Sequence, residues 1–142
     1  MTRSKLIVPT VLALSALTPI AAQAANPRPV SCSITVDYLA HGLLRSTYTK
    51  DFEIAPGTTF SDDFSTVVRF GFFDAWTSLD DNGDTVVSLS FYRDVTALEY
   101  IDLRTSLTVA TSKPAKTEGS SAHWQSQIGE RTTRWLATCS RK

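Results

Sequence analysis

The chain has few of the residues that catalytic and metal chemistry draw on: among 142 residues there are two cysteines, two histidines and one methionine. Neither His41 nor His123 has a second His, Cys or carboxylate at a ligand spacing, so a zinc centre is not expected. Cys32 and Cys139 are too far apart to form a Cys-x-x-Cys redox pair. Glycine-rich phosphate loops and a Gly-x-Ser-x-Gly nucleophile elbow are both missing, and nothing points to a cofactor. Beyond the first twenty-odd residues, no apolar run approaches the roughly 20 residues of a membrane-spanning helix, so stable membrane insertion is not expected. A clustered basic footprint is lacking too. Acids gather at Asp80, Asp81 and Asp84 and bases near the C-terminus at Arg131, Arg134, Arg141 and Lys142, which argues against a nucleic-acid partner.

What the chain does have begins at its start. Met1 to Lys5 is basic, Leu6 to Ile20 is largely apolar, and Ala22-Gln23-Ala24 offers the small residues of a signal-peptidase site. Residues 1–24 therefore read as a signal peptide, and residues 25–142 as one exported domain, periplasmic or secreted. Setting aside Arg3 and Lys5 takes the formal charge from zero to −2. Cys32 follows the Pro-rich stretch Asn26-Pro27-Arg28-Pro29 rather than the apolar run, which argues against a lipid anchor. In an exported chain, two cysteines read as one structural disulfide, Cys32–Cys139, closing nearly the whole domain.

Val, Thr, Phe, Tyr and Ser dominate the rest, apolar residues alternate over short runs, and no 3.6-residue stripe persists. The expected fold is all-β: an antiparallel β-sandwich, immunoglobulin-like or jelly-roll-like, of about 7–8 strands, with a small barrel as a further possibility. Cys32, Ile34, Val36 and Tyr38 alternate with polar residues and predict a half-buried first strand with its cysteine inward. His41-Gly42 offers a turn. A second strand is expected over about Leu43 to Ile54, ended by Ala55-Pro56-Gly57.

From Phe64 to Leu79 the apolar phase changes, which predicts one strand with a bulge near Gly71 to Phe73. Asn82-Gly83 is the strongest hairpin signal. A tight two-residue turn there would set Trp76 opposite Leu89, Phe73 opposite Tyr92 and Leu79 opposite Val86. A further strand fits about Ala97 to Ala110, anchored by Leu98, Tyr100, Leu107 and Val109. Lys113 to Ser121 reads as a mobile loop. A Gly129-Glu130 turn would then set Trp124 opposite Trp135 and Ala122 opposite Ala137 around a Trp-rich core, with the first and last strands joined by the disulfide.

Three constellations deserve weighing as chemistry. Asp80, Asn82 and Asp84 have the odd-position spacing that begins a calcium loop, but Thr85 stands where glycine belongs and Phe91 where the bidentate glutamate belongs, so a solvated turn is favoured. Asp62-Asp63, or Asp51 with Glu53, would suit acid–base work on a glycan, although Asp at such a position commonly binds turn backbone. The aromatics are the best candidates. With Phe72 and Phe73 in both phases of one strand, and Phe91 and Tyr92 in both phases of the next, one phase must face away from a single core. Phe73, Tyr92, Phe72 and Phe91 are therefore the candidate partner-binding residues.

The function expected is a non-enzymatic binding module of the bacterial cell envelope, contacting another envelope or extracellular protein. The rival expectation is an inhibitor or immunity protein of a hydrolase that inserts a loop such as Lys113 to Ser121. A small hydrolytic enzyme ranks behind both.

Overall fold

The computed structural model describes residues 28–110, 113–125 and 127–142, so the leader lies outside the described residues. Eight strands follow in order: β1 Val30–Ala40, β2 Leu43–Ile54, β3 Thr59–Asp63, β4 Gly71–Leu79, β5 Thr85–Thr96, β6 Glu99–Val109, β7 Ala115–Gln125 and β8 Gly129–Arg141. They form two antiparallel four-stranded sheets, β2-β1-β8-β7 and β3-β4-β5-β6, packed over one core. The β-sandwich is as expected, but its connectivity is not that of an immunoglobulin-like or jelly-roll fold. Every hydrogen-bonded pair except β1–β8 joins strands consecutive in the chain. That is a meander with its ends brought together, without the long crossover that defines a Greek key. The result is close to the small barrel, opened between β2 and β3 and again between β6 and β7.

The first two strands follow from their sequence. Val30, Cys32, Ile34, Val36 and Tyr38 are buried while the residues between them are only half so. The His41-Gly42 turn is a two-residue loop with positive φ at both positions, 52° and 74°, the type I′ geometry whose twist suits a hairpin. Cys32 and Cys139 are direct partners in the β1–β8 ladder, with Cα atoms 4.1 Å apart, and are disulfide-bonded. A disulfide of this kind is what an oxidising, extracytoplasmic compartment maintains.

The β4–β5 hairpin corrects the register. Only Gly83 of the turn has positive φ, and Asp80 accepts a hydrogen bond from the Gly83 N–H at 3.0 Å, giving a three-residue loop in place of the tight two-residue one. The Asp80 carboxylate locks it, accepting from the N–H groups of Asn82 and Asp84 at 2.9 and 2.8 Å. One extra residue in a turn shifts which side chains share a face. Phe73 consequently pairs with Phe91, Phe72 with Tyr92, Trp76 with Ser88 and Leu79 with Thr85.

Four other expectations change. Phe64 to Phe70 is no strand: it connects β3 to β4 and folds the Phe64 ring onto Gly71, where any Cβ would collide with it, and β4 pairs through Gly71 to Phe73 without the expected bulge. Lys113 to Ser121 is no loop, because from Ala115 it is β7, paired with β8 throughout. The β7–β8 register is also displaced, pairing Trp135 with Gly119, Ala137 with Thr117 and Trp124 with Glu130. The indole decides this: Trp135 lies across Gly119, and a Cβ there would overlap its Cζ2. Trp124 is left outside, largely exposed, and there is no Trp-rich core among the described residues. In β6, Leu107 and Val109 are anchors as expected, but Tyr100 and, just before the strand, Leu98 are exposed, and Ile101 and Leu103 take the inward phase.

The two gaps between the sheets differ. The β2/β3 side is filled by rings: Tyr48, Phe52, Phe60, Phe64, Phe73 and Phe91 contact one another at centroid distances between 4.6 and 6.2 Å. It is closed by the Tyr48 hydroxyl donating to Asp62 at 2.8 Å and by Lys50 on the same carboxylate at 3.1 Å. The β6/β7 side is bridged by a 3.3 Å contact between the hydroxyls of Thr105 and Thr117, and a cleft remains beside it.

Candidate functional site

The corrected register sorts the four candidate aromatics. Phe73 and Phe91 are 0% and 1% exposed and belong to the core, where they cannot touch a partner without unfolding. Phe72 and Tyr92 lie on the outer face of the β3–β6 sheet. Their rings stack at 5.3 Å with an 18° interplanar angle, and Tyr100 extends the row at 5.9 Å and 21°. Three strands thus each contribute one ring to a continuous ridge. Phe70 and Trp76, also exposed, lie on β4 or directly before it.

Carboxylates frame the ridge. Register places Asp63 beside Phe72, Asp102 beside Tyr92 and Asp94 beside Tyr100, with Asp74 in the neighbouring row. Arg104 lies on the same face, 3.7 Å from Asp102. Asp94 accepts from the Tyr92 hydroxyl at 2.8 Å, which fixes the ring tip and raises the phenol pKa, and from the Phe70 N–H at 3.3 Å. Asp63 accepts from the Ser65 N–H at 2.9 Å, and hydrogen bonds with Ser65 hold its carboxyl below the ordinary range. This is the turn-binding role expected of it. Asp62, its neighbour, points to the other face; hydrogen bonds from Tyr48 and then Lys50 lower its pKa.

A buried charge cluster that sequence reasoning missed closes one end of the sandwich. Glu99 accepts hydrogen bonds from the Tyr38 hydroxyl, from Arg131 Nε at 2.5 Å and from the Thr96 hydroxyl at 3.2 Å. Arg131 also donates to the Glu130 carbonyl at 2.9 Å and lies 3.4 Å from His41 Nε2. Burial alone would raise the Glu99 pKa, but the hydrogen bonds from Tyr38, Arg131 and Thr96 outweigh it and hold the carboxyl low. Burial, then the bond to Glu99, pushes the Tyr38 phenol up to about 12. With three donors on one carboxylate, the cluster is a clamp between β1, β6 and β8. The available signal was phase: Arg131 sits in register with Ala137 and Cys139, both inward.

The remaining sequence candidates do not converge. Asp80 spends its carboxylate on its own turn, and among the described residues no three His, Cys, Asp or Glu side chains are grouped to hold a metal ion. Glu53 pairs with Lys142. His123 is at the far end of β7 rather than at a strand start. No protein-family model matches this chain, and no curated protein matches its sequence.

Proposed function

We propose that this chain is an exported, non-enzymatic interaction module of the cell envelope, delivered to the periplasm or beyond by its leader, and that it binds another envelope or extracellular protein. The observation that carries the reading is the ridge of Phe72, Tyr92 and Tyr100 on a sheet face whose opposite side is already core. Rigid aromatic anchors on a sheet lose little conformational entropy on binding and serve as interface hot spots. Among the described residues, the outward-facing aspartates of the strands that carry the ridge outnumber Arg104, which favours a partner with an apolar centre and a basic rim. An inhibitor or immunity protein of a hydrolase would use the same face, since the segment expected to insert into a cleft is strand β7.

The test is capture from an extracytoplasmic fraction with oxidised protein and with Phe72→Asp and Tyr92→Asp as matched baits. A protein retained in stoichiometric amount by the wild type and lost by both variants, at unchanged melting temperature, supports the reading, and its identity separates inhibitor from assembly factor. Equal retention by the variants moves the interface elsewhere.

A further inference from the structure

The two ends of the sandwich differ in what they show to solvent. One end gathers four connections: the His41-Gly42 turn, the β3–β4 connection, the β5–β6 turn and the β7–β8 turn. The His41 N–H donates to the Glu130 carbonyl at 3.0 Å, the Asp94 N–H donates to the Phe70 carbonyl at 2.8 Å, and the Glu99 clamp ties the β5–β6 turn to β1 and β8. Each connection carries or adjoins exposed apolar side chains: Leu43 and Leu44, Val67 and Val68, Leu98, and Trp124. The opposite end carries Ala55-Pro56-Gly57, the acidic Asp80 to Asp84 turn and Lys113-Pro114, with Leu79 as its exposed apolar exception.

The β3–β4 connection holds the most exposed of these tips. Thr66 and Arg69 exchange backbone hydrogen bonds at 2.8 and 3.4 Å, closing a two-residue turn on Val67 and Val68, which are 103% and 77% exposed. Turns are ordinarily built from Gly, Pro, Asn, Asp or Ser, and valine adds no group that holds one together. Two such side chains standing fully in water are unfavourable there and gain only from an apolar medium outside the chain.

Behind this hairpin lies a cleft of about 210 Å³, lined by Arg69 and Arg93 together with Phe64, Phe70 and Val95. Both arginines are half-buried, and among the described residues neither guanidinium has an ion pair or a hydrogen bond. Asp94 also lines the cleft, but its oxygens already accept from the Tyr92 hydroxyl and the Phe70 N–H. Two guanidiniums beside one occupied carboxylate favour an anion, and their forked donors match phosphate oxygens. Shape narrows the choice further. Side chains on separate turns make a broken, convex surface, which a close-packed protein interface fits poorly and fluid acyl chains can fill. Apolar tips in front of a phosphate-binding cleft, with a tryptophan beside them, follow the layering of a phospholipid surface.

We propose that this end of the sandwich docks peripherally on an anionic phospholipid bilayer, with Val67 and Val68 entering the headgroup–acyl boundary and Arg69 and Arg93 receiving a lipid phosphate behind them. The contact is separate from the ridge of Phe72, Tyr92 and Tyr100, so either reading can fail alone.

The test is co-sedimentation of the oxidised protein with vesicles of phosphatidylglycerol mixed with phosphatidylethanolamine, and with vesicles of phosphatidylcholine alone. The protein should partition onto the anionic vesicles and much less onto the others. Val67→Asp with Val68→Asp, on a turn exposed to water, should weaken partition at least about tenfold with the melting temperature unchanged. Arg69→Gln alone should weaken it about fivefold, and Arg69→Gln with Arg93→Gln about thirtyfold, removing the preference for anionic lipid. No partition onto the anionic vesicles overturns the proposal. So does unaltered partition in the valine variant, or an unaltered lipid preference in Arg69→Gln. A protein captured through Val67 and Val68 in the absence of vesicle binding would overturn it too, by giving this end to a different partner. Tyr92→Asp, which breaks the proposed protein-binding face, should bind vesicles as the wild type does.

Discussion

Removing the disulfide by Cys32→Ala with Cys139→Ala should cost this domain a large share of its stability. The two cysteines are 107 positions apart. On the chain-entropy relation, a loop of that size removes about 16 cal/mol/K from the unfolded ensemble, or about 4.8 kcal/mol at 25 °C. Domains of this size are stable by only about 5–15 kcal/mol, so the loss amounts to a third or more of the total. The native state has little to lose directly, because β1 and β8 remain joined along their whole ladder from Val30–Arg141 to Ala40–Arg131. Urea unfolding of the oxidised protein and the double variant measures the difference. With a slope of about 2 kcal/mol/M, the midpoint should fall by about 2.4 M with the slope little changed or slightly raised. A loss below about 1 kcal/mol would refute the reasoning, because it would mean that the chain ends stay together in the unfolded ensemble without the bond.

Phe73→Ala and Phe91→Ala should each destabilise by about 3–5 kcal/mol in the same assay, whereas Tyr92→Ala on the outer face should cost about 1 kcal/mol or less; a reversed order would restore the two-residue register. Gly119→Ala should drive Trp135 off its seat, lowering stability by about 1–3 kcal/mol and shifting the tryptophan emission, and no effect would show that the indole packs elsewhere. Glu99→Gln should lower the melting temperature at neutral pH and flatten the acid limb of the stability curve. The sign follows from a folded pKa below the unfolded one: the stabilisation is complete above the unfolded value and is lost as pH falls through the folded value. Tyr38→Phe should flatten the alkaline limb instead. A phenol raised to about 12 stabilises fully below its unfolded value and loses that contribution as pH climbs through the folded one, so an unchanged profile between about pH 10 and 12 would remove Tyr38 from the clamp.

The sequence by itself determined the local half of this protein. Period-two alternation over Cys32 to Tyr38 committed that segment to a half-buried strand, His41-Gly42 and Ala55-Pro56-Gly57 placed its turns, and two cysteines behind an export leader implied one bond between the first and last strands. These are decided within a few residues by backbone sterics and by which side of a pleat meets water. Register and partner choice are different, because they depend on shape matching between segments far apart in the chain. One extra residue in the Asp80 to Asp84 turn exchanged the neighbours of Phe73 and Tyr92, which alone settled which aromatics are core and which are exposed. Gly119 accepted the Trp135 indole because it has no Cβ, turning a supposed loop into strand β7. Glu99 and Arg131 met only because β6 and β8 end at the same side of the sandwich. The aromatic ridge, the charge clamp and the cleft are all contacts between strands, so only tertiary structure could assemble them.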